Sequence, residues 1–209
     1  MFKSILIKTA LASMVILSSV SHSALLYEVN GNSGSSNGSW SFGQIFTVGS
    51  SDLFVSGLGA FDDAGNGFVT SGGIGVNLYR ERDDSLLAST FALSSDNLVN
   101  SYRVSSIGEV VLTAGETYRV AAAGGSDKYY TSYGFSISPD ITSIKFRYCN
   151  SRDWIVTCIK YGGGNYPWMA NLEYSMASSV MASVPEPSIL ALMGLGLAGI
   201  GFARRRKLA

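Results

Sequence analysis

No stretch between Leu25 and Tyr174 sustains a helical period of apolar residues, and that absence turns the middle of this chain toward β structure. Short alternating or apolar runs recur instead at 44–48, 53–55, 74–79, 86–91, 102–104, 109–112, 118–122 and 141–148, set apart by Gly, Asn, Asp and Ser. Runs of that length and spacing read as an all-β fold, an antiparallel β-sandwich of jelly-roll or immunoglobulin-like type. Asn66-Gly67, Asp83-Asp84-Ser85 and the 113–117 link supply residues that tolerate a chain reversal. A Gly/Ser/Asn tract at 31–39 reads as a loop, and no internal repeat is visible.

The two ends are unlike this body. Lys3 and Lys8 precede or open an apolar run at 10–20, and the small residues Ser21, Ser23 and Ala24 follow. Basic start, apolar centre and small-residue exit describe a secretory signal peptide over 1–24, cut after Ser23 or Ala24. Its removal takes away His22, the only histidine of the chain. The mature protein then has no imidazole for Ser-His-Asp or Cys-His catalysis, metal ligation or proton switching.

At the other end, residues 184–209 combine Pro185-Glu186-Pro187, an uncharged apolar run at 188–203, and Arg204, Arg205, Arg206 and Lys207. As a helix at 1.5 Å per residue the run spans roughly 24 Å, short of the ~30 Å hydrocarbon core but workable with local thinning and snorkelling arginines. Four cations after an apolar stop fix the end in the cytoplasm and the body outside. The two prolines keep the segment before the helix extended and open to a protease. A low-complexity stretch at 175–183 serves as spacer between the body, 25–174, and this tail.

These terminal residues, in this order and position, resemble the PEP-CTERM sorting signal of Gram-negative bacteria. The resemblance implies recognition by an exosortase, transient residence in the inner membrane, removal of the tail, and association with the cell surface or with extracellular, exopolysaccharide-rich biofilm matrix. The stretch from Gln44 through Phe46, Leu58-Gly59, Phe61-Asp62 and Gly75-Val76 to Ala114-Gly115-Glu116-Thr117-Tyr118 is also similar to an uncharacterised β-sandwich domain of PEP-CTERM proteins. It implies no activity.

Charge narrows the partners. Of 15 Lys and Arg, the two ends hold six, and of 15 Asp and Glu only Glu186 lies there, which leaves the body 9 bases against 14 acids. A mildly acidic body without a basic cluster is not a nucleic-acid binder. Cys149 and Cys158, the only cysteines, bracket a short segment, and an even count in an oxidising compartment favours one structural disulfide.

Candidate sites compete with plainer readings. Asp62, Asp63 and Asn66 cluster oxygen side chains that calcium prefers, but they lack the spacing of an EF-hand loop, and a polar hairpin turn explains the same letters. Trp154, Tyr161, Tyr166 and Trp168, with Tyr129, Tyr130 and Tyr133, offer flat faces that could stack on sugars as a carbohydrate-binding module. Core packing and cross-strand pairing use the same residues. Among Glu109, Glu116, Asp127 and Asp153 no spacing nominates a glycosidase pair. No nucleophile elbow, phosphate loop or zinc set is present. The expectation is a protein without enzymatic activity or cofactor.

Overall fold

The computed structural model describes residues 23–30, 34–36, 38, 40–131, 134–149, 160–161 and 168–176. The helices expected of the signal peptide and of 188–203 lie outside these residues. Among the described residues no helix is long and apolar enough to cross a membrane.

Two antiparallel sheets form the body. One has five strands in the order β1 (Ala24–Leu25), β15 (Ala170–Ser175), β5 (Leu53–Phe61), β9 (Tyr102–Leu112) and β8 (Asn97–Val99). The other has six, in the order β14 (Lys160–Tyr161), β13 (Ile141–Cys149), β4 (Ser41–Val48), β10 (Thr117–Ala123), β6 (Ile74–Arg80) and β7 (Ser85–Ala92). Two ribbons complete it: β3 (Gly34–Ser35) pairs with β11 (Tyr129–Tyr130), and β2 (Tyr27–Val29) with β12 (Phe135–Ile137).

Alternation along the strands decides which face is covered. In β4, Phe42, Phe46 and Val48 enter the core, and the β10 partners of Phe42 and Phe46 are the equally inward Ala122 and Tyr118. The core takes Val55, Leu58, Ala60 and Phe61 from β5, Tyr102, Val104 and Leu112 from β9, and Ile74, Val76 and Leu78 from β6. One cluster therefore draws on both sheets, and the two face each other across it.

At its centre sits Trp168, 0% exposed, with ring centroids 4.4 Å from Tyr27 and 4.3 Å from Phe135. Tyrosines that enter so deep keep their hydroxyls bonded. Tyr27 donates to the Ala170 carbonyl, Tyr102 to the Trp168 carbonyl at 3.3 Å, and Tyr130 to the Asn30 carbonyl at 2.7 Å. Burial pushes the Tyr27 and Tyr102 hydroxyls well above the usual phenol range.

The strand runs read from sequence reappear with differences: the run at 53–55 continues to Phe61 as β5, and the tract at 31–39, read as a loop, contains the two-residue strand β3, which pairs with β11. The runs at 102–104 and 109–112 belong to one continuous strand, β9, whose Ser105, Ser106 and Gly108 keep the ladder to β5 without apolar side chains. Strand β15 continues through Ser175, one residue into the stretch read as spacer.

The connections divide the body into two poles. Links 49–52 and 113–116 join the sheets at one pole, where Val48 pairs with Ile141, Leu53 with Leu112 and Tyr118 with Arg80. Ser175, paired with Phe54, ends there too. Loops 62–73, 93–96 and 124–128 gather at the opposite pole, beyond Phe61, Ala92 and Ala123.

Candidate functional site

The tail pole is built from the two ends of the body. Ala24 pairs with Tyr174 and Leu25 with Glu173, so the first strand lies along the last. Asn171, fully buried, fastens them. Its Oδ1 accepts from the Leu26 N–H at 3.2 Å and the Leu172 N–H at 2.9 Å, while its Nδ2 donates to the Tyr27 carbonyl at 2.8 Å. Beyond it, Tyr174 Oη donates to Asp140 at 2.7 Å and meets the Ser138 hydroxyl. Burial raises the Tyr174 hydroxyl, which the hydrogen bond from Ser138 opposes. The strand that leads to the C-terminal segment is thus an interior strand, paired on one side with β1 and on the other with β5.

At the opposite pole, the oxygen cluster considered for calcium is committed within the protein. Asp62 is 1% exposed; its carboxylate accepts from Arg103 Nε at 2.7 Å and from the Gly67 N–H at 3.0 and 3.1 Å. Arg103 also donates to the Gly65 carbonyl at 2.8 Å and the Asp96 carbonyl at 3.0 Å. Together these bonds fold a loop whose Ala64 and Gly65 take φ of 64° and 68°. Asp63 pairs with Lys128 at 2.6 Å, and Asn66 is assigned so that its amide donates to the Asp63 carbonyl at 3.1 Å. Asp127 accepts from the Val69 and Thr70 N–H groups at 2.6 and 2.9 Å. No group of three or more metal-ligating side chains occurs among the described residues.

The aromatic set divides. Trp168, Tyr129 and Tyr130 are core residues, so they present no face for stacking on a sugar, and the reading of Trp168 as a ligand platform is corrected: its ring fills the gap between Tyr27 and Phe135. Tyr161 lies in the edge strand β14, whereas Trp154, Tyr166 and Tyr133 lie outside the described residues. Cys149 ends β13 in a buried position, and no free cysteine is found among the described residues; Cys158 lies outside them, as do the Pro-Glu-Pro segment and the four terminal cations.

Sequence reasoning passed over Phe91. It stands 62% exposed on the edge strand β7, opposite Gly75 of β6. The signal was present in an apolar residue at an outward position of β7, but the run 86–91 shows no outward face until β6 is known to be its partner. On the same side of the six-stranded sheet, Arg119 spans Glu81 at 2.6 Å and Asp84 at 2.8 Å with its carbon 4.7 Å from the Tyr79 ring centroid, and Arg147 meets Glu81 at 2.5 Å. That network ties β10, β13 and the 81–84 turn together near the tail pole.

Against families of known proteins, the PEP-CTERM protein-sorting motif matches residues 183–207. No curated protein matches the sequence. The chain carries the sorting motif, which implies exosortase-dependent sorting of an exported protein at the membrane.

Proposed function

We propose that this chain is a non-enzymatic surface or matrix protein, carried across the inner membrane by its N-terminal signal, halted there by residues 188–203, and released when exosortase cuts near Pro185-Glu186-Pro187. The observation that carries the proposal is the motif match over residues 183–207. The physical features around it act together. An uncharged apolar run followed by Arg204, Arg205, Arg206 and Lys207 stops a translocating chain with its cations inside, and the prolines present extended backbone outside.

The body suits that journey. Its last described strand is held on both sides within the five-stranded sheet, so cutting the tail beyond Met176 leaves every strand pair among the described residues in place. Signal cleavage after Ser23 keeps the Ala24 pair with Tyr174, whereas cleavage after Ala24 removes it. Cys149 and Cys158 form their disulfide in the oxidising space outside the membrane.

The test is the mass of the mature protein recovered outside the inner membrane. The proposal expects an N-terminus at Ala24, a C-terminus close to Pro185-Glu186-Pro187, and a mass two hydrogens below that of the reduced chain. A recovered protein that ends at Ala209 would overturn the sorting reading.

A further inference from the structure

Where the outer face of the six-stranded sheet meets the loops of the far pole, an open groove of about 410 Å³ is recessed into the surface. Gly75 and Asn77 of β6 form its floor with Ser89 of β7, Thr70 and Ser71 form one wall, and Phe91 stands beside it. The strand register explains the shape. Phe91 pairs with Gly75 and Ser89 with Asn77, so the side chains of each pair point the same way. A Cβ built on Gly75 meets nothing closer than Phe91 Cε1 at 3.7 Å, so the missing side chain leaves a trough beside the ring. The loop wall is set by Gly72 and Gly73, each at φ of 86°, and a Cβ on Gly73 would lie 2.3 Å from the Ala92 carbonyl oxygen.

We infer that this groove binds a neutral saccharide chain, with Phe91 as the platform for one ring and Asn77, Ser89 and Ser71 as its hydrogen-bonding partners. Three properties select that class. No Asp, Glu, Lys or Arg lines the groove, so a polyanion or a polycation finds nothing to neutralise it. Hydroxyls and an amide supply both donors and acceptors, which is what a polyol needs. The face of an exposed aromatic ring carries the negative lobe of its quadrupole, onto which the C–H groups of a pyranose ring pack.

An extended peptide would look instead for a free strand edge. Strand β6, which floors the groove, has none, because it is paired on one side with β7 and on the other with β10. The free edge of β7 is the side turned away from β6 and from that floor. Asn77 is fixed by donating to Tyr79 Oη at 3.2 Å, so the floor is preorganised. The groove lies at the pole away from Ser175, and a body tethered through its tail keeps it open to the surroundings. That accessibility rests on the sorting reading; the binding chemistry does not.

The test uses the full chain purified in mild detergent and titrated calorimetrically with neutral hexasaccharides: β-1,4-glucose, β-1,3-glucose and β-1,4-mannose. Polygalacturonate and an uncharged unstructured peptide serve as comparisons. Saturable binding of at least one neutral saccharide is expected, weakened about tenfold or more by Phe91→Ala and by Gly75→Val, which fills the trough. Both variants should keep the wild-type thermal midpoint, since Phe91 is mostly exposed and Gly75 has ordinary φ. No saturable binding to any neutral saccharide would overturn the inference. So would tighter binding of polygalacturonate or the peptide, or saccharide binding that both variants leave intact. Because the full chain is titrated whether or not cells trim it, failure here is distinguishable from failure of the sorting reading.

Discussion

A carboxylate with no solvent exposure survives folding only if its charge is met, and Arg103 meets that of Asp62 at 2.7 Å. The pair also organises backbone, since Arg103 holds the Gly65 and Asp96 carbonyls while Asp62 holds the Gly67 N–H. Arg103→Ala should therefore lower the unfolding free energy by about 3 kcal/mol in urea titration, because a buried anion loses its cation. Adding Asp62→Asn should recover part of that loss by removing the stranded charge. A single-variant loss within experimental error of zero would show the pair to be dispensable. Asp83 behaves differently because it is exposed. The Arg80 guanidinium, donating to both of its oxygens at 2.7 and 3.0 Å, with the Ser85 hydroxyl second, holds the Asp83 carboxyl well below the usual carboxylate range. A carboxyl depressed in the folded state contributes stability above its ordinary value of 3.8 and loses it as pH falls from there toward the folded value. Urea midpoints measured at pH 5 and pH 3 should converge between wild type and Asp83→Asn at the lower pH, most clearly at low salt. Midpoints separated equally at both pH values would contradict the assignment. In the sequence Asp62 was legible as an acid in a turn. Its role was not, because the cation that claims it stands 41 residues further on.

At the level of strands, the apolar or alternating runs announced β4, β6, β7, β10 and β13. In β4, β6 and β10 alternate residues enter the central core cluster, a pattern of period two that survives in the letters. Strand β9 was legible only at its two ends: Ser105, Ser106 and Gly108 in its middle carry no apolar signal, and pairing with β5 keeps them extended. Strand β15 was missed. Its Leu172 and Tyr174 are ordinary core residues, but Asn171, its second residue, reads as a turn former in sequence. Its side chain instead completes the hydrogen bonding of β1 and β2, a task visible only once residues 145 positions apart are neighbours. Asn171→Ala should cost about 2–3 kcal/mol, as the buried Leu172 N–H and Tyr27 carbonyl each lose a bond to its side chain and the Leu26 N–H is left with the Leu172 carbonyl alone. Hydrogen exchange should accelerate selectively at Leu26 and in the β2 segment. Uniform acceleration across β4 and β10 would mean that Asn171 supports the whole core rather than the attachment of the first strands.

For the molecule as a whole, the arrangement of poles gives the sorting segment a mechanical context. The first and last strands of the described body lie side by side, Ala24 on Tyr174, and the loops that carry the groove lie at the other end. The expectation of a membrane span at 188–203 rests on composition alone, without partners, and falls outside the described residues. The pole assignment was not legible in sequence, because it depends on which strand neighbours which. Replacing Pro185-Glu186-Pro187 with three alanines separates the steps of the journey. The proposed N-terminal signal and apolar stop are untouched, so export and folding should proceed, and the body should stay in the inner-membrane fraction with its tail attached. The disulfide should still form, and saccharide binding by the retained protein should equal that of the wild type, since the groove is remote from the altered residues. Fractionation with intact-mass measurement reads every part of this. If the alanine variant reaches the outside at the wild-type rate and with the wild-type C-terminus, the Pro-Glu-Pro segment is not what the protease reads, and release must be specified by the apolar run or the terminal cations instead.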